Sequence, residues 1–299
     1  MTTDSAREPD SDKLARLREL LPATSAGIYL DTATFGPLPA ETAAAMRAAD
    51  DWELKVGRAT VGRDEDMEQR VEEARAVLAA LLVADPSEIV LAPGIDAAVA
   101  LIGRMSNSRD ATFLDVSFKV GAEPLEAASL GVDFLAFTCD KWLLGPEQTA
   151  ALWISPRAGS SGLGLASASG LSHTAVLGLA RSVGWLEMYV GLEWAYARTA
   201  TLAALLRGLL SAIPGVRTAR AESAIVPFTV DNWTVADTVD ELRRRVFAIV
   251  GLTPDGQSIR ASVGWFNTEV EIETFAGAVR DIAANTPDSI PRRLPLLGQ

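Results

Sequence analysis

The segment FTCDKWLLGP, residues 137 to 146, sets a lysine directly after an acid and before a tryptophan, with a Gly-Pro turn close behind. Upstream, DFLAF (133 to 137) carries large apolar residues and reads as a buried strand; downstream, ALWIS (151 to 155) reads as another. Lys141 therefore follows a core strand, where a long polar side chain must reach solvent or a cavity. One reading is a lysine that snorkels outward. The other is an amine placed for covalent chemistry on a carbonyl carbon. Two more charged residues stand at comparable places: Asp115 ends the run ATFLD (111 to 115), and Arg260 begins IRASVGW.

The elements that must position these residues follow from the hydrophobic pattern. A short helix, DKLARLRELL (12 to 21), precedes a brief strand, GIYL (27 to 30), and the small-residue turn DTATFGPLP (31 to 39) leads into a helix starting near Ala40. DEDMEQRVEEARAVLAALL (64 to 82) is amphipathic, with Met67, Val71, Ala74, Val77, Leu78 and Leu81 at helical spacing and acids in its first turn. EIVLAP (88 to 93) reads as a strand and DAAVALIGR (96 to 104) as a helix. Strands alternating with helices predict a largely parallel α/β sheet. After the Gly- and Ser-rich stretch RAGSSGLGLASASG, read as a loop, a long helical region runs from about Thr174 to Ile213. The last part mixes strands (AIVPFTV, IRASVGW) with helices (VADTVDELRRRV, EVEIETFAGAVRDIA), as a smaller α+β domain would. The terminal PRRLPLLGQ reads as frayed.

In a parallel sheet, ligands collect at the carboxyl ends of the strands, so Asp115 and Lys141 are expected to face one crevice. Gly94, between a strand and the next helix, marks a helix N-terminus suited to a phosphate. A lysine for a carbonyl, an acid for a ring nitrogen and a helix end for a phosphate are the parts that pyridoxal phosphate requires.

Composition narrows the alternatives. The chain has 299 residues, 48% of them hydrophobic, enough for a substantial core. Its net charge of −12 argues against a nucleic-acid partner, which needs clustered Lys and Arg. No apolar run has the length of a membrane span, and MTTDSAREPDSDK lacks a signal-peptide core, so a cytoplasmic protein without membrane partners is expected. One cysteine, Cys139, excludes an intrachain disulfide framework, and one histidine, His173, excludes a multi-histidine metal site within the chain.

Three stretches carry a family resemblance: GIYLDTATFGPLPAETAAAM, LDVSFKVGAEPLEAASLGVDFLAFTCDKWLLGPEQTAALWIS and IRASVGWFNTEVEI. Together they resemble the class V aminotransferase family, which includes cysteine desulfurases, selenocysteine lyases and isopenicillin-epimerase-like proteins, collinearly from about Gly27 to Ile282. The resemblance implies the pyridoxal-phosphate-dependent fold type I, with a seven-stranded, mostly parallel sheet, a smaller C-terminal domain, and homodimers with active sites near the interface. It implies an N-terminal helix over 1–22, a large cofactor-binding domain over 23–185 and a small domain over 186–299. By the same resemblance, Lys141 bonds the cofactor and moves protons at the substrate α-carbon, and Asp115 keeps the ring nitrogen protonated. Thr138 matches a phosphate-binding hydroxyl, and Gly94 and Ile95 match the phosphate loop. Arg260 matches the arginine that clamps the substrate α-carboxylate in a bidentate pair. Thr32, Ala33 and Thr34 match a loop bordering the substrate. Thr174 lies where the family reaches the partner subunit's phosphate.

Several positions depart from that pattern. Asp140 replaces the histidine before the lysine, Phe118 replaces a glutamine or histidine three residues after the ring aspartate, and Ile95 and Asp96 replace phosphate-loop hydroxyls. Only residues 95 to 114 separate Gly94 from Asp115, room for one helix and one strand, so the sheet is expected to be reduced by an internal deletion and to lack the ring-stacking histidine. Phe118 or a tryptophan is a candidate to cover the ring instead. TPDGQ (253 to 257), before Arg260, lacks the mobile cysteine of desulfurases, and Cys139 reads as buried filler. The expectation is an enzyme acting on a small amino acid by C–S lyase-like β-elimination. The alternatives are an aminotransferase or epimerase-like enzyme, or an inactive family member that only binds a partner.

Overall fold

The computed structural model describes residues 10–105, 111–158, 170–218 and 223–289. Most of the Gly- and Ser-rich stretch and the PRRLPLLGQ tail lie outside them. The N-terminal half supplies helices α1 (Asp10–Glu19), α2 (Ala40–Val56), α3 (Val61–Leu81) and α4 (Ile95–Met105), and strands β1 (Ile28–Leu30), β2 (Ile89–Ala92), β3 (Phe113–Asp115), β4 (Phe134–Thr138) and β5 (Ala150–Ile154). Each predicted element of this half is present.

Four of these strands form one sheet in the order β2-β5-β4-β3. β5 runs antiparallel to both β2 and β4, while β3 and β4 are parallel. Three strands thus point one way and one against them, a mixed version of the expected sheet. Period-two alternation divides its side chains between two layers of helix. Ile89, Leu91, Leu135, Phe137, Ala151 and Trp153 face α3 and the later helix α5 (His173–Trp185). Val90, Ala92, Phe134, Ala136 and Leu152 face α4.

β3 is one edge of this sheet, and all three of its residues are exposed, with Phe113 at 48% and Leu114 at 43%. The short interval after Gly94 accommodates α4 and β3, and no strand among the described residues lies beyond β3.

The expected long helix from Thr174 is broken. α5 ends in a π-helical turn (Leu186–Val190), Gly191 takes φ +78, and α6 (Leu192–Ser211) starts afresh. The rest comprises β6 (Val216–Thr218), β7 (Ile225–Val230), α7 (Val235–Val246), β8 (Ala248–Leu252), β9 (Ile259–Ser262) and α8 (Glu269–Ala283). Here the second sheet has the order β1-β8-β9-β7-β6, with β1 parallel to β8 and the other pairs antiparallel. Leu202, Leu206, Phe228, Ile259, Phe275 and Val279 form its core against α6 and α8. Because β1 belongs to this second sheet, the turn that follows it, Asp31 to Thr34, is carried directly against β9 and Arg260.

Candidate active site

Strand register brings the predicted residues to one end of the first sheet. Ala92 of β2 pairs with Ala150, Ala150 pairs with Thr138 of β4, and Asp115 of β3 pairs with Ala136. The carboxyl ends of β2, β3 and β4 therefore lie at one end of the sheet, with β5 between β2 and β4, and Gly94, Asp115, Thr138 and Lys141 lie at or just beyond the strand ends there.

The Asp115 carboxylate accepts from Ser117 N at 2.9 Å and from Ser117 Oγ at 2.5 Å, and the same Ser117 Oγ accepts from Thr138 N at 3.1 Å. One buried serine thus ties the acid on β3 to the end of β4. The Thr138 hydroxyl is buried and makes no hydrogen bond of normal geometry; its approach to Asp140 only tempers that acid. Gly94 takes φ +94, with open space where a side chain would stand, and opens α4 at Ile95. The first N–H groups of a helix have no partner within it, so this end can receive an anion, although Asp96 places an acid in the first turn.

Lys141 is half-buried, and its Nζ lies 3.4 Å from the Thr34 carbonyl oxygen. Burial lowers its pKa below the usual lysine range; the charge of Arg260 adds to the fall, while Asp140, Asp115 and Asp31 oppose it. Asp140 itself is pushed up by burial. Gly36 makes this close packing possible: its N–H donates to the Asp140 carbonyl at 2.7 Å, and a Cβ there would sit 2.0 Å from the Lys141 carbonyl oxygen.

Arg260, 8% exposed, comes from β9 across the interface between the two sheets. Its Nη2 donates to Asp31 Oδ1 at 3.1 Å and to the Thr34 hydroxyl, which in turn donates to Asp31 Oδ1 at 2.8 Å. Its Nε is buried without a partner. Phe118 lies beneath both cations, with Lys141 Nζ 5.5 Å and the Arg260 guanidinium carbon 5.7 Å from its ring centroid.

The remaining candidates are placed differently. Thr32 and Ala33 are fully buried; the Thr32 hydroxyl reaches the Ser262 carbonyl at 3.4 Å, and Ala33 packs with Ala122, Trp142 and Ala224. Of that turn, Thr34 is the residue that meets Lys141 and Arg260. Thr174 donates to Asp50 at 2.7 Å and lines a separate cavity of about 460 Å³ with Pro93 and Asp140. His173 is buried between Asp66, at 2.6 Å, and Glu53, at 3.3 Å, away from the lysine. Cys139 is fully buried and its thiol is pushed far up by burial, so it is inert packing.

Sequence reasoning missed Asp31, Ser117 and Gly251. A Cβ at Gly251 would lie 2.4 Å from Asp31 Oδ1 and 2.7 Å from Arg260 Nη2, so this glycine makes room for the pair. The one available signal was for Asp31, a short polar residue directly after the predicted strand GIYL.

No family model matches the sequence, and no curated protein matches it either. Solved structures do match. A mutant of C-DES with glycine covalently linked to its PLP cofactor aligns over 92% of this chain and 100% of its own, at a TM-score of 0.74 and 16% identity. The cystine C-S lyase C-DES in complex with its product cysteine persulfide aligns over 87% of this chain and 99% of its own, at a TM-score of 0.72 and 15% identity. The cysteine desulfurase CsdA from Escherichia coli aligns over 91% of this chain and 98% of its own, at a TM-score of 0.74 and 17% identity. Identities this low speak for the fold, and the chain has fold type I of the pyridoxal-phosphate enzymes, in the form that these lyase and desulfurase structures share.

Proposed function

We propose that the protein is a pyridoxal-phosphate enzyme that acts on a small amino acid by C–S lyase-like β-elimination. The observation that carries this reading is that Lys141 and Arg260 both meet Thr34 and the Phe118 ring, with Asp115 on the strand beside that of Lys141. The residues fit the cofactor. Lys141 is an amine whose burial favours its neutral, nucleophilic form. Asp115 is a carboxylate whose Oδ1 is held by two donors from Ser117, which leaves Oδ2 to meet a ring N–H. Thr138 Oγ1 is a buried hydroxyl without a hydrogen bond of normal geometry, at the same end of the sheet as the start of α4, where a phosphate could use both.

When bound, pyridoxal phosphate supplies an electron sink for charge that develops at the substrate α-carbon. Arg260 binds the α-carboxylate and so fixes which α-substituent faces Lys141. Lys141 takes the proton from the α-carbon. The electron pair left behind forms the bond to the β-carbon as the C–S bond breaks and sulfur leaves. The Phe118 ring offers an apolar surface beside Lys141 and Arg260. The chain's single cysteine is buried, so no thiol of its own is available to receive the sulfur, which favours release over relay.

The family resemblance of the sequence also implies a homodimer. A groove of about 920 Å³ between α2, α3 and α5 is lined by Trp52, Met188 and Tyr189, large side chains left exposed at 38%, 72% and 64%.

The decisive experiment is the visible spectrum of the protein with added pyridoxal phosphate, beside Lys141→Ala. A yellow band that borohydride discharges, and that the variant lacks, is expected, followed by pyruvate release from cystine or cysteine. Identical spectra for both proteins, matching free cofactor, would remove Lys141 from the chemistry and leave the inactive binding protein as the reading.

A further inference from the structure

We propose that Asp31 is a resident carboxylate occupying the substrate-carboxylate site, so that a ligand binds two-point to Arg260 only by taking the place of Asp31. The argument is geometric. A guanidinium offers a carboxylate two parallel forks, Nε with Nη2 and Nη1 with Nη2, and both require Nη2. In this structure Nη2 is the nitrogen already engaged, by Asp31 Oδ1 at 3.1 Å and by Thr34 Oγ1, while Nε is buried and unpartnered. Thr34 closes the triangle by donating to Asp31 Oδ1 at 2.8 Å. Gly251 leaves the space for it, since a Cβ there would collide with both Asp31 Oδ1 and Arg260 Nη2.

Both partners are largely enclosed, with side chains 10% and 16% exposed, so Arg260 without Asp31 would be a buried cation with no counter-ion. The aspartate therefore keeps the empty site stable and also lowers the fraction of protein ready to bind. A displaced Asp31 needs a positive charge nearby, and a ligand ammonium group can supply it. This favours zwitterionic amino acids over plain carboxylates. The inference rests on the proposed function only for the identity of the natural ligand.

The test uses the full chain and 3,3,3-trifluoropropionate, a carboxylate with no ammonium group, titrated by fluorine NMR. Asp31→Asn keeps the shape and the acceptor for Thr34 but removes the charge. It is expected to bind the probe about tenfold more tightly than wild type, and Arg260→Gln to abolish binding. Asp31→Ser should tighten binding in the same direction. Unchanged or weaker binding in Asp31→Asn would overturn the exchange and leave Asp31 as a positioning residue. Should both Asp31 variants fail to fold, Thr34→Val, which removes the hydroxyl that holds Asp31 in place, is read instead: tighter probe binding than wild type is expected, and unchanged or weaker binding would overturn the exchange. The cofactor spectrum is read separately: Arg260-dependent probe binding without the yellow band would sink the enzyme reading and leave this inference standing.

Discussion

Lys141 sits where burial and a neighbouring cation favour its neutral form, while three acids oppose them. Its amine should lose its proton below the usual lysine value of about 10.4. Borohydride-trapped incorporation of pyridoxal phosphate should therefore rise with pH, through a midpoint below that of an exposed lysine. Asp140→Asn removes an acid that holds the proton on, so the midpoint should fall further; Arg260→Gln should raise it. A midpoint unmoved by either change would mean that burial alone sets it. Gly36 carries a second prediction at this scale. A methyl group there would meet the Lys141 carbonyl, so Gly36→Ala should destabilise the fold by about 1–3 kcal/mol in chemical denaturation. Asp115, Lys141 and Arg260 were legible in the sequence because each is a charge beside an apolar strand. Asp31 was not, since its role exists only through an arginine 229 residues away.

At the level of elements, local patterning served well wherever one face of a strand or helix decided it. β4 and β5 read as apolar runs, and α8 carries its N-terminal signature openly: Thr268 and Glu271 form a reciprocal capping box. The first-half sheet depends on that packing. Phe137, fully buried between β4 and the helices, should cost about 3–5 kcal/mol when cut to alanine. What periodicity did not give is where continuity stops. The stretch after Thr174 is rich in helix formers throughout, yet Gly191 and a π-turn divide it, and β8 follows α7 after only one left-handed residue, Phe247 at φ +52. The α3–α5 contact has its own pH dependence. Burial raises the pKa of Asp66, but its hydrogen bonds to His173 and Arg70 outweigh that and hold the carboxyl below the ordinary range. Its contribution is thus present above the unfolded-state pKa and lost as pH falls through the folded value. Asp66→Asn should flatten the acid limb of the stability curve measured by thermal melting.

For the molecule as a whole, the two sheets are joined by what crosses between them: β1 pairs into the C-terminal sheet, and Arg18 of α1 reaches the Phe266 carbonyl at 2.6 Å and Glu271 of α8. The site lies on that junction, with Lys141 from one sheet and Arg260 from the other. No composition or spacing could place it there, because junctions are built from long-range contacts. Among the described residues, the β3 edge and the groove between α2, α3 and α5 are left uncovered. Of these the groove is the better dimer face. Its large exposed side chains are contributed by α2 and by the π-turn, elements that are rigidly packed against α5, and a two-fold axis would set the same patch against itself. The expected mass in light scattering is twice the 31.7 kDa chain. Replacing Met188 and Tyr189 by Glu and Ser should return it to a single chain with unchanged helical circular dichroism. A wild-type protein that already runs as one chain would refute the dimer. The site would then have to be complete within one copy, and Thr174, held by Asp50 beside its separate cavity, would have no partner phosphate to meet.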